Sequence, residues 1–129
     1  MFGWREMTAA VGEAFQALPP EDRSRAVFLA NNYGEAGAID FYGAPWHLPP
    51  AISGHNNYFL WGPGGHDGSV ILRVGRKRED LLQAYASVEA VGRIEHPYAM
   101  PYETGLTLWL CRDRKVPLQA DWATFKHYN

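Results

Sequence analysis

The sequence predicts an α/β fold, a three-layer αβα sandwich with a mostly parallel sheet and an antiparallel edge. Three observations lead there. Apolar residues recur at helical spacing near the N-terminus, short unbroken apolar runs follow, and the two patterns alternate along the chain. Strands alternating with helices imply a sheet covered on both faces. At 129 residues and 47% hydrophobic content the chain is one domain's worth, with enough apolar surface for a core.

Taken in order, Trp4, Met7, Val11, Phe15 and Leu18 form one apolar helical face. Pro19-Pro20 ends that helix, because proline lacks the amide proton and restricts the residue before it. Ala26-Val27-Phe28-Leu29-Ala30 has the unbroken pattern of a strand buried on both sides. Residues 31–34 turn the chain into a short helix over 35–42. Asn32 and Glu35 stand at the N-cap and N3 spacing of a capping box. Residues 43–50, rich in Pro and Trp, read as an irregular connection, and 51–52 as a very short strand.

A helical turn is expected over 56–61, closed by Gly62-Pro63-Gly64-Gly65. Residues 69–74 read as a strand and 78–86 as a helix burying Leu81, Leu82 and Tyr85. The alternation over 87–95 suits a strand with one side exposed. Residues 106–111 are another apolar strand, and Leu118, Trp122 and Phe125 mark a closing helix.

Composition narrows the function. A net charge of −2 argues against nucleic acid as a partner. The single cysteine, Cys111, excludes an intrachain disulfide framework and a CxxC motif. Lying inside an apolar strand, it reads as a small core residue. No apolar run approaches the ~20 residues of a membrane span, and the first residues lack the basic-then-apolar order of a signal peptide. The expectation is a single soluble domain over residues 1–129.

The distribution of charge is more telling than its sum. All twelve Lys and Arg residues lie outside 26–72. Inside that stretch stand Asn31-Asn32-Tyr33-Gly34-Glu35 and Ser53-Gly54-His55-Asn56-Asn57-Tyr58, with Trp61 just beyond. Amides, hydroxyls, an imidazole and flat rings without a cation suit neutral polyols, whose hydroxyls need directional bonds and whose C–H faces lie on rings. Both clusters follow strands, and ligands of open α/β sheets collect beyond the carboxyl ends of strands. A phosphate at 31–35 would meet Glu35 with no neutralising partner. The same residues also have local uses. Asn32 and Glu35 cap a helix, Gly34 and Gly54 permit turns, and the Asn pairs satisfy loop backbone.

Candidate substrate-binding residues are therefore Asn31, Asn32, Tyr33, Glu35, Ser53, His55, Asn56, Asn57, Tyr58 and Trp61. Arg73, Arg76, Lys77 and Arg78 form the densest basic group. It reads either as a solvated strand end or as a contact for phosphate headgroups. Histidines 47, 55, 66, 96 and 127 include no pair at metal-ligand spacing, so neither a metal nor another cofactor is expected. No G-x-S-x-G elbow and no dinucleotide fingerprint occurs.

Asn31-Asn32-Tyr33-Gly34-Glu35-Ala36-Gly37-Ala38, Ser53-Gly54-His55-Asn56-Asn57-Tyr58 and Trp61-Gly62-Pro63 resemble one family. It is the C-terminal soluble domain of bacterial membrane glycosyltransferases related to protein O-mannosyltransferases and the lipid A aminoarabinose transferase. Leu108-Trp109-Leu110-Cys111-Arg112 and the helix around Trp122 fit the same pattern, so the resemblance covers most of the chain. It implies a parent enzyme with many membrane helices, whose catalytic acid lies in a loop between the first of them. Such an enzyme moves a sugar from a polyprenyl-phosphate donor on the outer face of the inner membrane.

On that resemblance the chain is an extracytoplasmic accessory domain without catalytic residues of its own. Its partners are the membrane domain of the parent chain and a polyprenyl-phosphate sugar or acceptor. Two other expectations stand beside it. One is a small hydrolase using His55 as base with Glu35 or Asp40 as acid. The other is a purely structural docking module with exposed aromatics.

Overall fold

The computed structural model describes residues 3–31, 33–54, 62, 65–94 and 106–125, with only the backbone of Tyr33. It is an α/β fold built on a five-stranded mixed sheet. The strands are β1 (Ala26–Ala30), β2 (Ile52–Ser53), β3 (Val70–Val74), β4 (Tyr85–Ile94) and β5 (Leu106–Arg114), in the spatial order β2-β1-β3-β5-β4. β1 pairs parallel with β2 and β3, while β5 runs antiparallel to both β3 and β4. Four strands thus point one way and β5 alone is reversed.

This corrects one expectation. The reversed strand lies inside the sheet, between β3 and β4, and not at its edge. The residues explain why. β5 carries Leu108, Leu110 and Cys111, all essentially buried, and such a run must be covered on both faces. β4 is buried only at Tyr85, Val88 and Ile94 and takes the edge. The two pair along most of their length, with a register shift between Ala90 and Gly92.

Alternation divides the sheet between two cores. Ala26, Phe28, Ala30, Val70, Leu72 and Val74 face a cluster completed by α1 (Trp4–Ala17) and α3 (Tyr33–Tyr42), through Met7, Val11, Phe15 and Ile39. Val27, Leu29, Ile52, Ile71 and Cys111 face the other, closed by Leu81, Tyr85, Leu118, Trp122 and Phe125. A fully buried side chain of this size is worth about 1.5–3 kcal/mol of transfer energy. Gly12 lets α1 approach the Trp46 ring, into which a Cβ would project.

Pro20 does more than stop α1. It occupies the first position of a short helix, α2 (Pro20–Arg23), where a missing N–H costs nothing. Asp22 of α2 accepts from Arg25 and from Arg112 of β5, each at 2.9 Å. The Arg112 guanidinium, aided by Arg25, holds the Asp22 carboxyl below its ordinary range.

The helix expected over 78–86 is shorter, α4 (Arg78–Leu82), and Tyr85 opens β4 instead. The closing helix divides into α5 (Leu118–Asp121) and a 3-10 turn, Trp122–Phe125. Residues 44–46 of the irregular connection form a 3-10 turn, and the short strand falls one residue later than expected, at Ile52–Ser53. The helical turn expected over 56–61 lies outside the described residues.

Candidate functional site

Asn31, the first residue beyond β1, joins three elements. Its backbone N–H donates to Glu35 Oε1 at 2.8 Å, and its Nδ2 donates to Val74 O at 2.9 Å and more weakly to Glu35 Oε2 at 3.4 Å. Its Oδ1 accepts from Arg73 Nη2 at 2.6 Å and from Arg76 Nε at 2.9 Å. Glu35 therefore reaches back from the first turn of α3 to residue 31, one residue beyond the capping-box partner expected.

The stretch without cations in sequence is not without them in space. Arg73 arrives through the parallel pairing of β1 with β3. It occupies the position in β3 that alternation gives to the same face as Ile71, and it is 7% exposed. Arg76 follows Gly75, whose φ of 81° permits the sharp turn after the strand. The turn is tied by Gly75 N to Thr107 O at 3.0 Å and Trp109 Nε1 to Arg76 O at 2.8 Å.

Burial pushes the Glu35 carboxyl above its ordinary pKa of 4.5, opposed by the Asn31 donors and then by the charges of Arg73 and Arg76. Burial likewise disfavours the charged form of Arg73. A buried guanidinium of this kind needs acceptors. Asn31 supplies one, yet Arg73 Nε has none among the described residues.

Arg73 also lines a cavity of about 200 Å³ on the second face of the sheet, shared with Arg76, Asp80, Tyr85, Arg114 and Phe125. Arg114 donates through Nη2 to Asp121 at 3.0 Å, and its guanidinium carbon stands 5.0 Å from the Phe125 ring centroid and 5.9 Å from that of Tyr85. Strict alternation from Cys111 would turn Asp113 to this side. The left-handed backbone at Asp113, φ 56°, interrupts the alternation, and Arg114 comes to the cavity. Arg114 Nε and the Tyr85 hydroxyl also lack partners among the described residues. Burial raises the Tyr85 pKa above 10.0, so the hydroxyl keeps its proton at neutral pH.

The expected site residues divide as follows. Asn31, Glu35, Arg73 and Arg76 come together. Ser53 is fully buried in β2, paired with Ala30. Lys77 and Arg78 are exposed at the start of α4, Arg78 Nε donating to Val88 O at 3.1 Å. Asn32, the Tyr33 side chain, His55, Asn56, Asn57, Tyr58 and Trp61 lie outside the described residues. Asp40 accepts from the Ala51 amide at 2.9 Å, which ties α3 to the entry of β2. Among the described residues no cluster of His, Cys, Asp and Glu has the makings of a metal site. Cys111 is fully buried, and burial pushes its thiol up to about 12. No helix among the described residues is long and apolar enough to cross a membrane.

Tyr85, Asp80, Arg114 and Phe125 escape sequence reasoning. Tyr85 reads there as a core residue of a helix and Phe125 as part of the closing helix, and neither Asp80 nor Arg114 stands out by type or spacing. The one usable signal is Arg73, a cation at a core-facing position of an apolar strand. Gly54 of the second motif also has a role visible only in three dimensions. A Cβ there would strike the carbonyl of Phe125, so glycine lets the C-terminal turn close beside the end of β2. Compared with known proteins, the chain matches no family model, no curated protein and no solved structure.

Proposed function

We propose that this chain is the extracytoplasmic accessory domain of a membrane glycosyltransferase that takes a sugar from a polyprenyl-phosphate carrier. Its task is recognition of acceptor or sugar carrier, not catalysis. The observation that supports this most is the register Ala30↔Ser53 between parallel neighbours β1 and β2. Asn31 of the first motif and Gly54 of the second therefore leave the sheet side by side at its carboxyl edge, the usual ligand edge of such sheets. In the same reading α4, α5 and the 3-10 turn Trp122–Phe125 form the third layer of an αβα sandwich.

The test is sedimentation of the purified chain with vesicles containing polyprenyl-phosphate mannose, against vesicles containing the free polyprenol. The expected result is carrier-dependent recruitment with no release or transfer of the sugar. Equal recruitment to both vesicles, or sugar released by the chain alone, overturns the proposal.

A further inference from the structure

In the cavity between β3, α4 and the C-terminal turn we infer a binding site for a free α-amino acid with an apolar side chain. Arg76 takes its carboxylate and Asp80 its ammonium. The ligand is a small soluble molecule, and its site stands independently of the role proposed above.

Only two of the charged groups around this cavity are open to a ligand. Arg73 is 7% exposed, and its Nη2 is held by Asn31 at 2.6 Å. Arg114 is engaged by Asp121 at 3.0 Å and by the Val116 carbonyl. The Tyr85 hydroxyl is buried. Arg76 and Asp80 remain, both exposed and both on the cavity wall.

Arg76 is prepared for a carboxylate. Its Nε donates to Asn31 Oδ1 at 2.9 Å, and its carbonyl is held by Trp109 Nε1 at 2.8 Å. Nη1 and Nη2 are left without partners among the described residues. Two such terminal nitrogens form the fork that binds a carboxylate through parallel hydrogen bonds. Asp80 stands four residues further on, in α4, and its carboxylate has no hydrogen bond or ion pair among the described residues. It does not pair with Arg76, although the two opposite charges share one small cavity.

A cation and an anion held apart on one wall match a ligand that carries both charges. A bare anion would meet Asp80, and a bare cation would meet Arg76. Leu81, Ala84 and Phe125 supply apolar wall for a side chain. At roughly 30 Å³ per water, a cavity of about 200 Å³ has room for several waters, which suits one amino acid and not a peptide. Exposed ion pairs are individually weak, so recognition needs both charges and the apolar wall together. Lys77, Arg78 and Glu79, the other exposed charges of this turn, do not line the cavity.

Calorimetric titration of the purified chain with L-leucine, leucinamide, N-acetyl-leucine and glycine tests this. Leucinamide lacks the carboxylate, N-acetyl-leucine the ammonium, and glycine the side chain. L-leucine is expected to bind at one saturable site, and each of the others about fivefold more weakly or worse. Asp80→Asn and Arg76→Gln, both at exposed positions, should each weaken L-leucine by a similar factor, and Glu79→Gln should leave it unchanged. Absence of saturable L-leucine binding to the natural chain overturns the site. Either blocked form binding as tightly as L-leucine overturns it too, as does an affinity unaltered by Asp80→Asn. Equal losses in Glu79→Gln and Asp80→Asn would report the general charge of the turn and also overturn it.

Discussion

Asn31 accepts a hydrogen bond from Arg73 at 2.6 Å across 42 residues of sequence. The first residue beyond β1 thereby holds the one buried cation of β3 in place. Arg73 cannot be satisfied by water at 7% exposure, and Asn31 alone meets Arg73, Arg76, Val74 and Glu35 together.

Asn31→Ala leaves the Arg73 guanidinium without its acceptor and should cost about 2–3 kcal/mol of stability. Asn31→Asp keeps an acceptor for both arginines but loses the donor to Val74 and adds a charge beside Glu35. Its stability should fall between those of Asn31→Ala and the natural chain at neutral pH. Urea denaturation of the three proteins gives the order, and an Asn31→Ala chain as stable as the natural one would show that the junction contributes nothing.

Glu35 makes stability depend on pH in a defined direction. Its folded pKa is raised by burial above the ordinary 4.5, so the folded state holds the proton more tightly than the unfolded chain. The contribution is fully present below the unfolded value and is lost as pH rises through the folded one. Glu35→Gln removes this titration. The stability of the natural chain relative to Glu35→Gln should fall with rising pH above 4.5 and then level off. Urea midpoints measured from mildly acid to neutral pH check the sign, and a rise across that window contradicts it.

Gly54→Ala should destabilise the fold by about 1–3 kcal/mol, the usual cost of forcing an extra methyl into filled space. The methyl would meet the Phe125 carbonyl, so the damage should begin at the C-terminal turn. Faster proteolysis of residues 118–125, ahead of any change in the β1–β3 region, is the expected signature.

Cys111 should be inert toward thiol reagents in the native chain. It is fully buried, and its thiol is pushed up to about 12 by desolvation, so little thiolate exists at pH 8 even when a reagent can reach it. Ellman's reagent should label one thiol per chain only as urea unfolds the protein. Prompt labelling in buffer would mean that β5 opens readily.

Much of the fold was legible in the residues. The apolar run 26–30 became β1 with its bounds unchanged, and α1 ended where Pro19-Pro20 stop it. Leu108, Leu110 and Cys111 are buried as their run implies. Tyr85 was misread because the apolar spacing of Leu81, Leu82 and Tyr85 continues a helix on paper. In the folded chain α4 ends at Leu82, and Tyr85 pairs with Arg114 at the start of β4. The candidate site was half legible. Asn31, Glu35, Arg73 and Arg76 stood out by type, whereas Tyr85 and Arg114 did not.

The sequence by itself determined the α/β class, the buried strands and the polar motifs at strand ends, because each depends on the periodicity of near neighbours. Tertiary structure decided that β5 lies inside the sheet and that arginines from beyond residue 72 meet Asn31. It also decided that Tyr85 and Arg114 share a cavity with them. Those outcomes depend on which strands pair across tens of residues. Such pairing is set by the burial demands of whole strands, here the need to cover β5 on both faces.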